Sequence, residues 1–169
     1  MKKIAWTYAV ALVIFAAFAR QTLQTLKTLF PPVFICISPW IVFALVLLAL
    51  LTVLFKKSWA SPLVAAAVFS FLIVLLLLVS IKKPEERMHL FIYGFLGFIF
   101  AFDDFREKRP EAFIRACVFC FFVAIIDEAF QYILPSRIGD LRDIGFGTTG
   151  GVWGATVALL LSSTIRGKR

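Results

Sequence analysis

The chain reads as all-α, a polytopic bundle of about six membrane-crossing helices, and three observations predict it. Of its 169 residues, 62% are hydrophobic, and a mean hydropathy of +0.95 exceeds what a soluble core of this size can hide. The apolar residues fall in runs of about 20, the length at which a helix rising roughly 1.5 Å per residue crosses a hydrocarbon layer roughly 30 Å thick. No run alternates with the period of two that a barrel strand needs, and backbone polar groups in lipid must be satisfied within the segment, so the runs are helices.

The first span, 4–19 (IAWTYAVALVIFAAFA), follows Lys2 and Lys3 and ends on Ala17-Phe18-Ala19, an arrangement signal peptides share. With five more spans behind it, it reads as an uncleaved signal anchor. The stretch 30–37 (FPPVFICI) is too short to cross and holds two Pro, so an interfacial or re-entrant piece is expected there, leading into a second span at 38–55. Joined to that span instead, it would make one long, tilted helix. The third span, 62–81, opens on Pro62, which suits a first helical turn. The remaining spans are 88–104, 112–134 and 147–164. Residues 1–81 thus hold three N-terminal spans, and residues 82–169 a second group of three.

Orientation follows from the positive residues. Lys2, Lys3, Lys56, Lys57, Arg106, Lys108, Arg109, Arg166, Lys168 and Arg169 outnumber Arg20, Lys27, Lys82, Lys83, Arg87, Arg137 and Arg142 at the other ends, which places both termini in the cytoplasm. The net charge of +8 is then topology signal and headgroup contact. Membrane lipids are expected partners; no loop carries a basic stripe with interleaved aromatics, so nucleic acid is not. Cys117 and Cys120 spell C-x-x-C inside a span and are expected to be packing residues. Cys36 stands alone. No zinc-type spacing is present and no cofactor is expected.

The charge that topology does not absorb lies near the outer end of the fifth span. An acid inside a span costs upward of about 2.5 kcal/mol, so it has a partner or a function. Gln131 lies four residues after Asp127 and three after Glu128, which puts the three on one helical face. After Pro135, the loop PSRIGDLRD is expected to fold Arg137, Asp140, Arg142 and Asp143 back over them, with Gly139 allowing a turn. His89, the chain's one His, sits a turn before Tyr93 on the fourth span. Glu128 is the candidate general acid or base, with the adjacent Asp127 as a catalytic candidate that tunes it and His89 sharing the proton traffic. Gln131, Tyr93, Asp143, Arg137 and Arg142 are the candidate substrate-binding groups, the two guanidinium forks suiting phosphate. Asp127, Glu128 and Asp143 would suit an oxygen-loving ion such as Mg²⁺, but the signal is too weak to expect a metal.

The same residues also fit a buried network with no ligand, although such contacts are often worth under about 1 kcal/mol each in a membrane. Arg115 is expected to snorkel toward the cytoplasm, and Asp103, Asp104 and the run REKRP to form a solvated loop. In the sixth span, Gly147 with Gly151 and Gly150 with Gly154 form two small-xxx-small pairs, expected to dock on the fourth or fifth span and bring Thr148 and Thr149 near the carboxylates.

RMHLFIYGFLG (87–97), DEAFQYILPSRIGDLRD (127–143) and GTTGGVWG (147–154) together resemble the VanZ-like family of small bacterial membrane proteins. The family pattern is a His with a Tyr four later, an acid-Glu-x-x-Gln on the next span, Pro-x-Arg, a loop Asp, and glycines opening the last span. His89, Tyr93, Asp127, Glu128, Gln131, Pro135, Arg137, Asp143, Gly150 and Gly154 take those places. The likeness covers roughly residues 82–160. Gly147 stands where relatives usually carry Asn and Glu86 where they often carry Lys, so no role of those two groups carries over. The resemblance implies a multi-pass protein of the bacterial cytoplasmic membrane with an envelope role, the namesake being linked to resistance to the glycopeptide teicoplanin.

Motifs narrow the chemistry further. One His cannot supply the pair that PAP2-type lipid phosphatases use, and neither H-E-x-x-H nor G-x-S-x-G occurs. Three readings follow: a protein binding or acting on an amphiphilic envelope molecule, such as a lipid-linked saccharide or phosphate or a glycopeptide; a non-enzymatic envelope-organising or resistance protein; or a proton-coupled transporter, which intramembrane acids allow but for which no inverted repeat is visible.

Overall fold

The computed structural model describes residues 2–54, 62–106, 111–134 and 140–166. Among them it is all-helical: α1 (Lys2–Leu29), α2 (Pro32–Leu54), α3 (Pro62–Ser80), α4 (Pro84–Arg106), α5 (Ala112–Ile133) and α6 (Leu141–Arg166).

The helices match the apolar runs, and their ends follow local chemistry that hydropathy does not report. The polar stretch after residue 19 stays helical to Leu29, with the Thr22 and Thr28 hydroxyls donating to carbonyls of their own helix. Pro32 begins α2 where its missing N–H has no helical partner to lose. From there α2 runs through Pro39. The segment 30–37 is therefore no separate interfacial or re-entrant piece: from residue 32 it forms the first turns of α2. Pro84 starts α4 in the same way as Pro32 starts α2.

The start of α6 differs most. It lies at Leu141 and not at 147 because Asp140 caps the helix. Its Oδ1 accepts the Arg142 N–H at 2.9 Å and its carbonyl accepts the Asp143 N–H at 2.9 Å, which satisfies donors a helix N-terminus would otherwise leave open. Arg142 and Asp143 are consequently first-turn residues of a helix and not part of a loop, and Asp143 places its negative charge at the positive end of the helix dipole.

α4 and α6 form the centre. One apolar cluster joins them to α1 and α5 around Tyr93, Leu96, Phe100, Phe119 and Ala124. The other joins them to α2 and α3 around Phe43, Phe71, Val74, Leu90 and Trp153. The glycines of α6 set how closely these helices meet. A Cβ on Gly150 would run into the Leu90 carbonyl and one on Gly154 into the Gly94 carbonyl, both on α4, whereas one on Gly151 would strike Cys120 of α5. The two small-xxx-small pairs thus serve both neighbours.

Two of the described helical stretches are long and apolar enough to cross a membrane, Pro62–Ser80 with a mean hydropathy of 3.0 and Leu141–Ser163 with 1.4. Only 28% of the first is buried, and Phe69, Leu72, Leu76 and Val79 stand exposed along α3. α3 gives one stripe, Val64, Ala67, Phe71, Val74 and Leu78, to the core and leaves the rest of its apolar surface uncovered, a pattern compatible with a lipid-facing side.

Candidate functional site

The N-terminal turns of α4, the C-terminal turns of α5 and the start of α6 meet at one end of the bundle, because consecutive helices run antiparallel. Four of the residues singled out by sequence are brought into contact there. On α5, Asp127 is 2% exposed, Glu128 6% and Gln131 5%. The Tyr93 hydroxyl, reaching across from α4, donates to Asp127 Oδ2 at 3.0 Å. Gln131 Nε2 donates to Glu128 Oε1 at 3.2 Å, and the backbone N–H of Asp140 donates to Glu128 Oε2 at 2.9 Å. Each carboxylate is thus held in one orientation by a donor on another turn or another helix, as buried polar groups must be.

His89 completes the group. It stacks on Tyr93 with ring centroids 6.2 Å apart and planes 12° from parallel. One ligand-type atom each of His89, Asp127 and Glu128 lies within 4.8 Å of the others. His89 Nδ1 is buried with no hydrogen-bond partner among the described residues, and so is Asp143 Oδ1. A nitrogen base facing two oriented carboxylates can exchange protons, accept a hydrogen bond from a ligand, or coordinate a cation. The trio that could hold a metal therefore includes His89, where the sequence suggested Asp143.

The basic residues are placed differently. Arg137 lies outside the described residues, as do Pro135 and Gly139. Arg142 is on the surface, its guanidinium paired with Asp140 at 2.5 Å and with Glu86 at 3.9 Å. That pairing, with the Arg142 N–H on the same side chain, holds the Asp140 carboxyl down at about 2, below the usual carboxylate range. Arg142 is engaged in capping α6, so a phosphate would have to compete with Asp140 for it. Thr148 and Thr149 donate to the carbonyls of Ile144 and Gly145 on their own helix. A Cβ at Gly147 would meet Ala124 and the Tyr93 ring at 3.2 Å, so this glycine packs against the tyrosine that orients Asp127.

At the opposite end of α4, Asp104 is fully buried at 0% exposure, and Arg115 of α5 approaches it to 3.5 Å. Asp104 is accordingly not part of a solvated loop, and Arg115 is committed to a neighbouring helix as well as to its own stem. Sequence reasoning missed the pair. Its signal was periodic: Asp104 follows Tyr93 by eleven positions, about three turns, so both lie on the face of α4 that meets α5. Cys120 is buried and Cys117 half-buried, both as free thiols, with Cys120 filling the space beside Gly151 as a packing residue.

No protein-family model, curated protein or solved structure matches the chain.

Proposed function

We propose that the chain is a VanZ-like, multi-pass protein of the bacterial cytoplasmic membrane, and that its cluster of His89, Tyr93, Asp127, Glu128 and Gln131 binds or acts on the polar head of an amphiphilic envelope molecule at the outer face. The observation that carries this reading is the pairing of two adjacent, nearly inaccessible acids with individually placed donors from α4, α5 and the start of α6. As packing alone this is an expensive arrangement, because each acid must be desolvated for contacts that return little. Its place at one end of the bundle suits a molecule entering from the headgroup region. It is less suited to a carrier, whose coupling site belongs near the midplane.

Six crossings with both termini inside account for the apolar side chains that cover the outside of α1, α2, α3 and α5, among them Ile14, Leu45, Leu76 and Ile126. In the same topology, Glu128 supplies acid–base capacity, Gln131 and Tyr93 hold it and its neighbour in register, and Arg142 at the start of α6 is the described guanidinium nearest in sequence to where an anionic head would arrive.

The test has two parts. In a background with all three cysteines replaced by Ser, an impermeant maleimide added to intact cells should label a cysteine placed at Leu141 and spare one placed at Glu111 until the membrane is opened. Expression of the wild-type chain should also change susceptibility to at least one envelope-active antibiotic in a panel that includes teicoplanin. Labelling at Glu111 from outside, or an unchanged panel, would count against the reading.

A further inference from the structure

We infer that His89, Asp127 and Glu128 form a site for one divalent transition-metal ion. The three come from two helices, and their ligand atoms already converge to within 4.8 Å. Bonds of about 2.1 Å around one tetrahedral ion place donors roughly 3.4 Å apart, so small side-chain rotations close the site. The outer donors are those a metal centre uses: Tyr93 on one oxygen of Asp127, Gln131 and the Asp140 N–H on the two oxygens of Glu128, which fix the carboxylates while leaving lone pairs for a cation.

A second observation is independent of the acids. His89 Nδ1 is buried and makes no hydrogen bond among the described residues, the state of an imidazole awaiting a proton donor or a metal. One imidazole with two carboxylates favours Zn²⁺ or Mn²⁺ over Mg²⁺, which prefers an all-oxygen octahedron and keeps its water. Three protein ligands leave a coordination position open toward the end of the bundle, where an oxygen of the envelope molecule's head group could bind. For that last step the inference rests on the functional reading above; metal uptake itself does not, and is measured without any envelope molecule.

The full chain, purified in detergent and stripped with chelator, is titrated with Zn²⁺, Mn²⁺ and Mg²⁺. Bound metal is counted by elemental analysis and affinity is read by competition with a chromophoric chelator. One equivalent of Zn²⁺ per chain is expected, with Mg²⁺ far weaker. His89→Gln and Asp127→Asn should each lower affinity by more than the roughly 10–100-fold that loss of an outer donor costs, and Tyr93→Phe by about that amount. A chain with Cys36, Cys117 and Cys120 all replaced by Ser should bind as the wild type does. Co²⁺ substitution supplies a readout on the wild-type chain alone, whose spectrum should lack thiolate charge-transfer bands. No stoichiometric uptake, equal uptake by a folded His89→Gln chain, or a thiolate spectrum would overturn the site.

Discussion

Replacing Gly154 by Ala probes the contact that brings α4 and α6 together and so positions His89 and Tyr93 against α5. The added Cβ would lie 2.7 Å from the Gly94 carbonyl carbon and 2.9 Å from the Phe98 nitrogen. Ordinary contact begins at 3.4 Å and the Gly94 carbonyl oxygen lies nearer to the added Cβ than the carbonyl carbon does, so the helices would have to part by well over the difference between 3.4 and 2.7 Å. Both obstacles are backbone and cannot rotate away. Overpacking of this kind costs about 1–3 kcal/mol, and the better helix propensity of Ala returns up to about 1. Gly145 of the same helix is the control, since a Cβ there meets nothing within 4 Å and Ala should stabilise by roughly 0.5–1 kcal/mol. The two variants should therefore melt on opposite sides of the wild type, separated by roughly 5 °C for a chain of this size. Thermal unfolding in detergent, followed by loss of the monodisperse elution peak, is the assay. Equal midpoints for Gly154→Ala and Gly145→Ala would refute the close backbone contact.

Two further consequences concern the ends of the bundle. Arg115→Ala removes an ion-pair partner from the fully buried Asp104; because Arg115 is itself partly exposed, a loss of about 1–3 kcal/mol is expected, less than for a fully buried pair. Adding Asp104→Asn should recover part of it, a coupling that a double-mutant cycle of unfolding midpoints reads directly. Asp140→Ala should cost about 1 kcal/mol as a lost helix cap. Since the folded Asp140 carboxyl is held below its ordinary value, down at about 2, the charged cap contributes fully above the ordinary carboxylate range and is lost as pH falls toward that value. The gap between wild type and variant should thus be constant from about pH 5 to pH 8 and narrow below about pH 4; a gap that widens on acidification would contradict the pairing with Arg142.

The helices were legible because each carries an apolar run of helical length, two of them long and apolar enough to cross a membrane. Their ends were not. Where α6 begins depends on Asp140 acting as a cap, and where α2 begins on Pro32 occupying a first turn; Asp140 also fits the loop expected there, and Pro32 the interfacial or re-entrant piece. In the candidate site, spacing within one helix was sufficient to group Asp127, Glu128 and Gln131. The link from Tyr93 to Asp127 and the approach of His89 to both acids depend on how α4 lies against α5, which the glycines of α6 determine and no local pattern states. Asp104 was obscured by Asp103 beside it in the sequence: a pair of acids at a helix end looks solvated, although Asp104 lies on the face turned toward α5.

The central claim, that the buried acids serve a function and not only the fold, meets its most direct test in Glu128→Gln. A Gln side chain can keep both contacts of Glu128, its oxygen accepting the Asp140 N–H and its amide donating to a flipped Gln131, so charge is removed with little loss of hydrogen bonding. Unfolding midpoint, membrane abundance and the antibiotic phenotype are to be measured on the same variant. The account predicts a midpoint and abundance close to wild type with the phenotype gone. A variant that keeps the phenotype, or one that loses it only in proportion to protein missing from the membrane, would show that these charges hold the helices together and nothing more.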